Sequence, residues 1–240
     1  SAALVQASGA NALATSSASL AWSIGYADGS YLPIDELLNA IERIQKIATI
    51  PLSVDIEDGY SSDPIEVANL VKSLSSLGVV GINIEDGSGS VELLTEKIKI
   101  IRESVGNELF INARTDVYLR GLAEGEFAFN MVIERLNTYQ KAGANGGFIP
   151  GVSDSAIIER LSDSLTLPIN IMVSNLESDI PKFEHSKIAY PILIPRMNAT
   201  LFTQNQAEQW RNLGFQLDQV KLELHQLQDL YTEANYDLSE

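Results

Sequence analysis

The chain has 240 residues, a formal net charge of −16 and no cysteine. That length suits one large domain. So acidic a chain offers no basic patch to neutralise phosphates, which excludes nucleic acid as an expected partner, and the lack of cysteine removes disulfides and thiolate chemistry and fits a cytoplasmic setting.

No apolar run approaches the roughly 18 to 20 residues that span a bilayer, so no membrane partner is expected. The opening stretch, Ser1 to Gly9, lacks the basic start and long apolar core of a signal peptide and reads as the tail of a helix ending at Gly9. From Ala10 onward one grammar repeats: a short β-prone run, a polar or glycine-rich loop, then an amphipathic stretch, which is a βα unit. The first strand is expected at Ala12 to Thr15, followed by a long loop from Ser16 to Gly29. Pro33 opens a helix with Leu37, Ile41, Ile44 and Ile47 on one face. A strand follows at Leu52 to Asp55, and Asp63-Pro64 caps a helix carrying Val67, Leu70, Val71 and Leu74.

Gly78 closes that helix ahead of the strand Val79 to Ile84. Helices around Leu94 to Val105, Glu124 to Lys141 and Ile157 to Leu161 alternate with strands at Leu109 to Ala113, Gly146 to Ile149, Ile169 to Met172 and Lys187 to Leu193. Residues 204–240 read as a helical extension with a leucine stripe suited to packing or subunit contact. About seven strands, each followed by a helix, predict a single-domain (β/α)8 TIM barrel over 1–240 whose first strand lies upstream of Ser1, since closure needs eight. An open doubly wound sheet is the alternative, but its glycine-rich phosphate fingerprint is missing.

Two strands end in acids. Leu52 to Val54 run into Asp55, Glu57, Asp58 and Gly59, and Val79 to Ile84 run into Glu85 and Asp86. Crowded carboxylates repel one another and need a positive partner, for which a hard divalent cation is the natural choice. Barrel strand ends gather on one face, so Ser16 to Ala18, Asp55 to Asp58, Glu85, Arg114 and Pro150 are expected to converge. Asp55, Glu57 and Glu85 suit Mg²⁺ or Mn²⁺, and the planar fork of Arg114 suits a carboxylate, so the expected partner is a small carboxylic acid. A solvated acidic turn is the competing reading of 55–58, and a structural bridge to Asp116 or Glu85 is that of Arg114. Tyr60 stands where a calcium loop starting at Asp55 needs glycine, which excludes such a loop. His185 and His225 lie at no expected strand end and read as ordinary exposed or core residues.

Four ordered motifs, Ala14-Thr15-Ser16-Ser17-Ala18, Asp55-Ile56-Glu57-Asp58-Gly59-Tyr60, Gly81-Ile82-Asn83-Ile84-Glu85-Asp86 and Ile111-Asn112-Ala113-Arg114-Thr115-Asp116, together resemble the isocitrate lyase / phosphoenolpyruvate mutase superfamily. The resemblance implies a Mg²⁺-dependent barrel, usually a homo-oligomer, dimer or tetramer, that exchanges its last helix. It also implies cleavage or formation of C–C or P–C bonds beside an oxo acid through an enolate held by the metal. By motif, Asp55 resembles the direct metal ligand, with Asp28, Glu57 and Glu85 holding metal-bound waters. Ser17 and Ala18 resemble the backbone donors to the substrate carboxylate, Ser16 lies near the oxo group, and Arg114 resembles the arginine that binds the substrate. Glu57 stands where the family usually has aspartate.

Departures narrow the reaction. The catalytic cysteine loop of isocitrate and methylisocitrate lyases is absent, because Asp86-Gly87-Ser88-Gly89-Ser90 runs almost directly into a helix. The lysine, asparagine and histidine of the phosphonate-handling members are also missing, and Pro150 stands in place of that histidine. The gating loop is therefore either short, leaving an open site, or absent from this sequence. The expectation is a Mg²⁺-dependent lyase of a small 2-oxo or 2-hydroxy acid, working by retro-aldol cleavage or decarboxylation. The alternatives are a phosphonopyruvate mutase or hydrolase and a non-catalytic oxo-acid binder. The general base is unassigned, with Tyr26 and metal-bound water as candidates.

Overall fold

A computed structural model describes residues 2–7 and 9–172 in full and the backbone of 188–192, all within the compact unit Ser1–Ile192. Seven parallel strands form one sheet in strictly sequential order: β1 Leu13–Ala14, β2 Leu52–Asp55, β3 Gly81–Glu85, β4 Phe110–Arg114, β5 Gly146–Ile149, β6 Ile169–Met172 and β7 Ile188–Ile192. The helices are α1 Ala2–Ala7, α2 Ser17–Ser23, α3 Ile34–Gln45, α4 Pro64–Ser76, α5 Val91–Val105, α6 Gly125–Ala142 and α7 Ser155–Ser164.

Sequential order decides between the two expected architectures. Right-handed crossovers that always step the same way put every helix on one face, whereas a doubly wound sheet must reverse its order. Accordingly α3 packs on α4, α4 on α5, α5 on α6 and α6 on α7. The doubly wound alternative is thereby overturned, and the sheet is of the barrel-wall type; the described strands make an arc, with no pairing between β7 and β1 among the described residues. The 204–240 extension, His185 and His225 lie outside the described residues.

Local sequence explains most boundaries. Asp63 caps α4 by accepting from the Ile65 N–H with Pro64 in the first turn, and Ser90 and Asp154 cap α5 and α7 in the same way. One element corrects the sequence reading: Ser16 to Gly29 is not all loop, because Ser16 caps α2 by accepting from the Ser19 N–H.

Strand alternation sorts side chains into two sets. Val54, Ile82, Ile84, Ile111, Ala113, Ile149 and Ile171 are fully buried, and apolar residues of this set meet the helices. The other set carries the polar residues, together with glycines and the Phe110 and Phe148 rings. Register places Asp55 beside Asn83, Asn83 beside Asn112 and Asn112 beside Gly146, and one layer further on Glu85 beside Arg114 and Arg114 beside Phe148. Strand carboxyl ends and a polar inner face thus supply the site.

Candidate active site

After β2 the chain makes a tight turn built on its own acids. Asp55 Oδ1 accepts from the Glu57 N–H at 3.1 Å, Gly59 N–H donates to the Ile56 carbonyl at 2.7 Å, and Asp58 Oδ1 accepts from the Tyr60 N–H at 3.0 Å. Glu57 adopts a left-handed φ of 52°, unusual for a residue with a side chain. That conformation turns its carboxylate inward, where it is buried and Oε2 accepts from both the N–H and hydroxyl of Ser30. Burial, then the charge of Asp28, raises the Glu57 pKa. Beneath the turn the buried Lys97 ammonium donates to the Asp58 carbonyl at 2.7 Å, and its pKa is lowered by desolvation.

The second group lies on adjacent strand ends. Arg114 Nη1 is 2.7 Å from Glu85 Oε2, while Nε and Nη2 donate to the two oxygens of fully buried Asp116 at 2.6 and 3.1 Å. The guanidinium also sits 5.6 Å from the Phe148 ring centroid. Desolvation pushes the Glu85 pKa up to about 7, against the lowering by Arg114 and reinforced by the charges of Asp116, Asp55 and Glu57. These influences place the acids of the two strand ends within reach of one another's fields. Both competing readings of Arg114 are therefore present in part, since it pairs with Asp116 and with Glu85 at once.

Of the remaining expected residues, Ser16, Ser17 and Ala18 begin α2 beside β2. The Ser17 N–H donates to Asp55 Oδ2 at 3.3 Å, so in this structure it serves the acid. Ala18 is in the first helical turn, where an N–H has no intrahelical acceptor. Asp28 is exposed and reaches the site through its charge on Glu57 and Tyr60. Pro150 directly follows β5 and is buried. Tyr26 follows α2, its N–H held by the Ala21 carbonyl, and nothing among the described residues joins its phenol to the acids. The loop after Glu85 is short: Asp86 to Ser90 link β3 to α5 directly, with Gly89 N–H bonded to the Asp86 carbonyl and Ser88 Oγ accepting from Arg120.

A metal can be tested against this donor set. Among the described residues no three acidic or histidine side chains meet closely enough to hold an ion directly. A direct carboxylate cage therefore does not fit, but a hydrated Mg²⁺, which keeps several of its waters, does. Glu57 Oε1 and the Tyr60 hydroxyl are buried and close enough to influence one another, yet neither makes a hydrogen bond of normal geometry. Glu57 and Glu85 line one cavity of about 340 Å³.

With the geometry in place, comparison with known proteins is decisive for ancestry. A family model described as phosphoenolpyruvate phosphomutase matches residues 1–206. The chain belongs to that family. Within the phosphoenolpyruvate mutase / isocitrate lyase superfamily, it is 30% identical to oxaloacetate decarboxylase of Pseudomonas fluorescens over 156 residues, covering 60% of this chain and 52% of that protein. It is also 30% identical to 2-methylisocitrate lyase of Escherichia coli over 163 residues, covering 62% and 53%. A phosphonomutase candidate from Burkholderia cenocepacia J2315 superposes with a TM-score of 0.69 at 35% identity, covering 72% of this chain and 74% of that one. Against the curated relatives it matches, this family member spans about half their length.

Several residues of the site carry no signal that sequence spacing exposes. Asp86, expected only as part of an acid pair, is buried and turned away from Glu85. Its Oδ2 accepts from Arg135 and the Tyr139 hydroxyl, both at 2.8 Å, and Oδ1 accepts from the Asp116 N–H at 3.0 Å. Ser30 and Lys97 come from distant elements. Asn83, Asn112 and Asn170 did leave a trace: each is a polar residue inside an apolar strand.

Proposed function

We propose that the chain is a Mg²⁺-dependent carbon–carbon lyase, with Mn²⁺ as an alternative ion, acting on a small 2-oxo or 2-hydroxy acid by retro-aldol cleavage or decarboxylation through a pyruvate-type enolate. The supporting observation is the Arg114 guanidinium, held by Asp116 and Glu85 at the end of β4 and facing the acids that end β2 and β3. Asp55 would hold the ion directly, with Glu57, Glu85 and Asp28 ordering its waters. Bound there, Mg²⁺ supplies Lewis-acid polarisation of an oxo oxygen.

The chain's own residues do the rest. Arg114 binds the acid and presents fixed positive charge where the enolate oxygen gains negative charge, a stabilisation that needs no reorganisation during reaction. Glu85 steadies that guanidinium; burial raises its pKa to about 7 without the ion, and a bound cation would draw it back toward the ionised form. Ser17 and Ala18, at the start of α2, would orient the substrate carboxylate through their N–H groups, with Ser16 near the oxo group. Relatives named for decarboxylation or lysis of small acids support this reading. The test is a screen of small oxo and hydroxy acids with and without Mg²⁺, on the wild-type chain and Arg114→Ala. Mg²⁺-dependent turnover lost in the variant is expected; no product from any such acid would falsify the assignment.

A phosphonopyruvate mutase or hydrolase is the second reading, favoured by the 35% identity to the phosphonomutase candidate. Conversion of phosphonopyruvate followed by phosphorus NMR would select it. Mg²⁺-dependent oxo-acid binding by calorimetry with a flat product assay would select a binder without turnover. A homo-oligomer exchanging C-terminal helices is part of the proposal and predicts a change in light-scattering mass when 204–240 is deleted.

A further inference from the structure

Three asparagines cross the inner face of the sheet in one hydrogen-bonded chain. Asn170 Nδ2 donates to Asn112 Oδ1 at 2.8 Å, Asn112 Nδ2 donates to Asn83 Oδ1 at 3.1 Å, and Asn83 Nδ2 donates to Asp55 Oδ1 at 3.3 Å. The chain runs through β6, β4 and β3 to β2, skipping β5. It can do so because β5 has Gly146 beside Asn112: a Cβ there would lie 2.9 Å from Asn112 Oδ1.

Direction along this chain is not arbitrary. An ionised carboxylate only accepts, so Asn83 must turn its NH₂ to Asp55 and its carbonyl to Asn112, and the same constraint passes outward to Asn170. All three amides therefore aim their positive ends at Asp55. Asn83 and Asn112 are buried, and a buried amide is costly unless its bonds are made, so an aliphatic layer would fill this space at less risk. What aliphatics cannot supply is an oriented, charge-stabilising row of dipoles on one carboxylate.

We infer that Asn83, Asn112 and Asn170 are positioning residues that fix the rotamer of Asp55 for divalent-cation binding. Together with the Glu57 N–H, Asn83 occupies Oδ1, while among the described residues Oδ2 accepts from the Ser17 N–H alone, leaving that oxygen the freer to meet an ion. The inference rests on the metal-dependent reading above. It goes further in assigning part of the ion's affinity to amides that act through Asp55.

The experiment measures Mn²⁺ affinity by electron paramagnetic resonance on the full chain without substrate, beside thermal unfolding in EDTA. Asn112→Leu, which leaves Asp55 and its direct donor Asn83 in place, should weaken Mn²⁺ binding on the order of tenfold, the usual effect of removing an outer support of a metal ligand. Mn²⁺ affinity within twofold of wild type in folded Asn112→Leu overturns the positioning role alone. Absence of Mn²⁺ binding to the wild-type chain overturns the functional reading and this inference with it. Should Asn112→Leu not fold, Asn170→Ala at the half-buried outer end is read instead: weaker Mn²⁺ binding supports the relay, and unchanged binding refutes it.

Discussion

Arg114 Nη1 stands 2.7 Å from Glu85 Oε2, across a register that pairs these two residues on neighbouring parallel strands. Register partners point to the same face, so the guanidinium and carboxylate are neighbours by the geometry of the sheet and not by rotamer chance. Removing Arg114 would strand Glu85 and fully buried Asp116, leaving only the half-exposed Arg120 on the latter. Arg114→Ala is therefore expected to cost stability as well as turnover, on the order of 3 kcal/mol, as for other broken buried pairs. Urea unfolding checks the first effect. Arg114→Lys should recover part of the stability but little activity, because lysine lacks the planar fork.

A pH dependence follows from Glu85, whose pKa rises from the ordinary 4.5 to about 7 on folding. The folded state then binds more protons than the unfolded one between these values, so stability falls as pH rises through that window and levels off above it. Across 2.5 pKa units the contribution is on the order of 3 kcal/mol before opposing groups are counted. Melting temperatures between pH 4.5 and 8 in EDTA should show the decline, and Glu85→Gln should flatten it. A Mg²⁺ that favours the ionised acid would shift the decline to lower pH.

Asp86 is expected to behave quite differently from its neighbour. Its carboxylate joins Arg135, Tyr139 and the Asp116 backbone inside the helix-facing layer. Asp86→Asn should destabilise by roughly 3 kcal/mol through the uncompensated Arg135 charge, with Mn²⁺ affinity in the surviving folded fraction unchanged. Tyr139→Phe, which deletes one hydrogen bond, should cost about 1 kcal/mol. Equal loss of metal affinity in Asp86→Asn and Glu85→Gln would contradict this division of roles.

The acid turn has its own structural requirement at Gly59. Its φ is 97°, and a Cβ there would fall 2.7 Å from Val67 Cγ1 on α4. Gly59→Ala should therefore lose roughly 1 to 3 kcal/mol from backbone strain and crowding. Because the same turn carries Glu57, weakened Mn²⁺ binding should accompany the lower melting temperature.

Much of this molecule was legible from residue order alone. Short β-prone runs, the Asp63-Pro64 cap, and the acids at Asp55 to Asp58, Glu85 and Asp86 located the strands, helices and strand-end chemistry, because each signal is local: it depends on neighbours within a turn or a pleat. Among the described elements α2 was misread, its serine cap hidden in a stretch rich in small residues. Tertiary structure decided the rest. Sequential strand order set α3 to α7 side by side on one face. Register brought Arg114 to Glu85 and lined Asn83 and Asn112 with Asp55, and an inward-turned Glu57 met Ser30. Each of these contacts joins residues at least 27 positions apart. Which residues meet at such distances depends on how strands align and on which face each alternate side chain takes, and a one-residue slip would reverse every one of them.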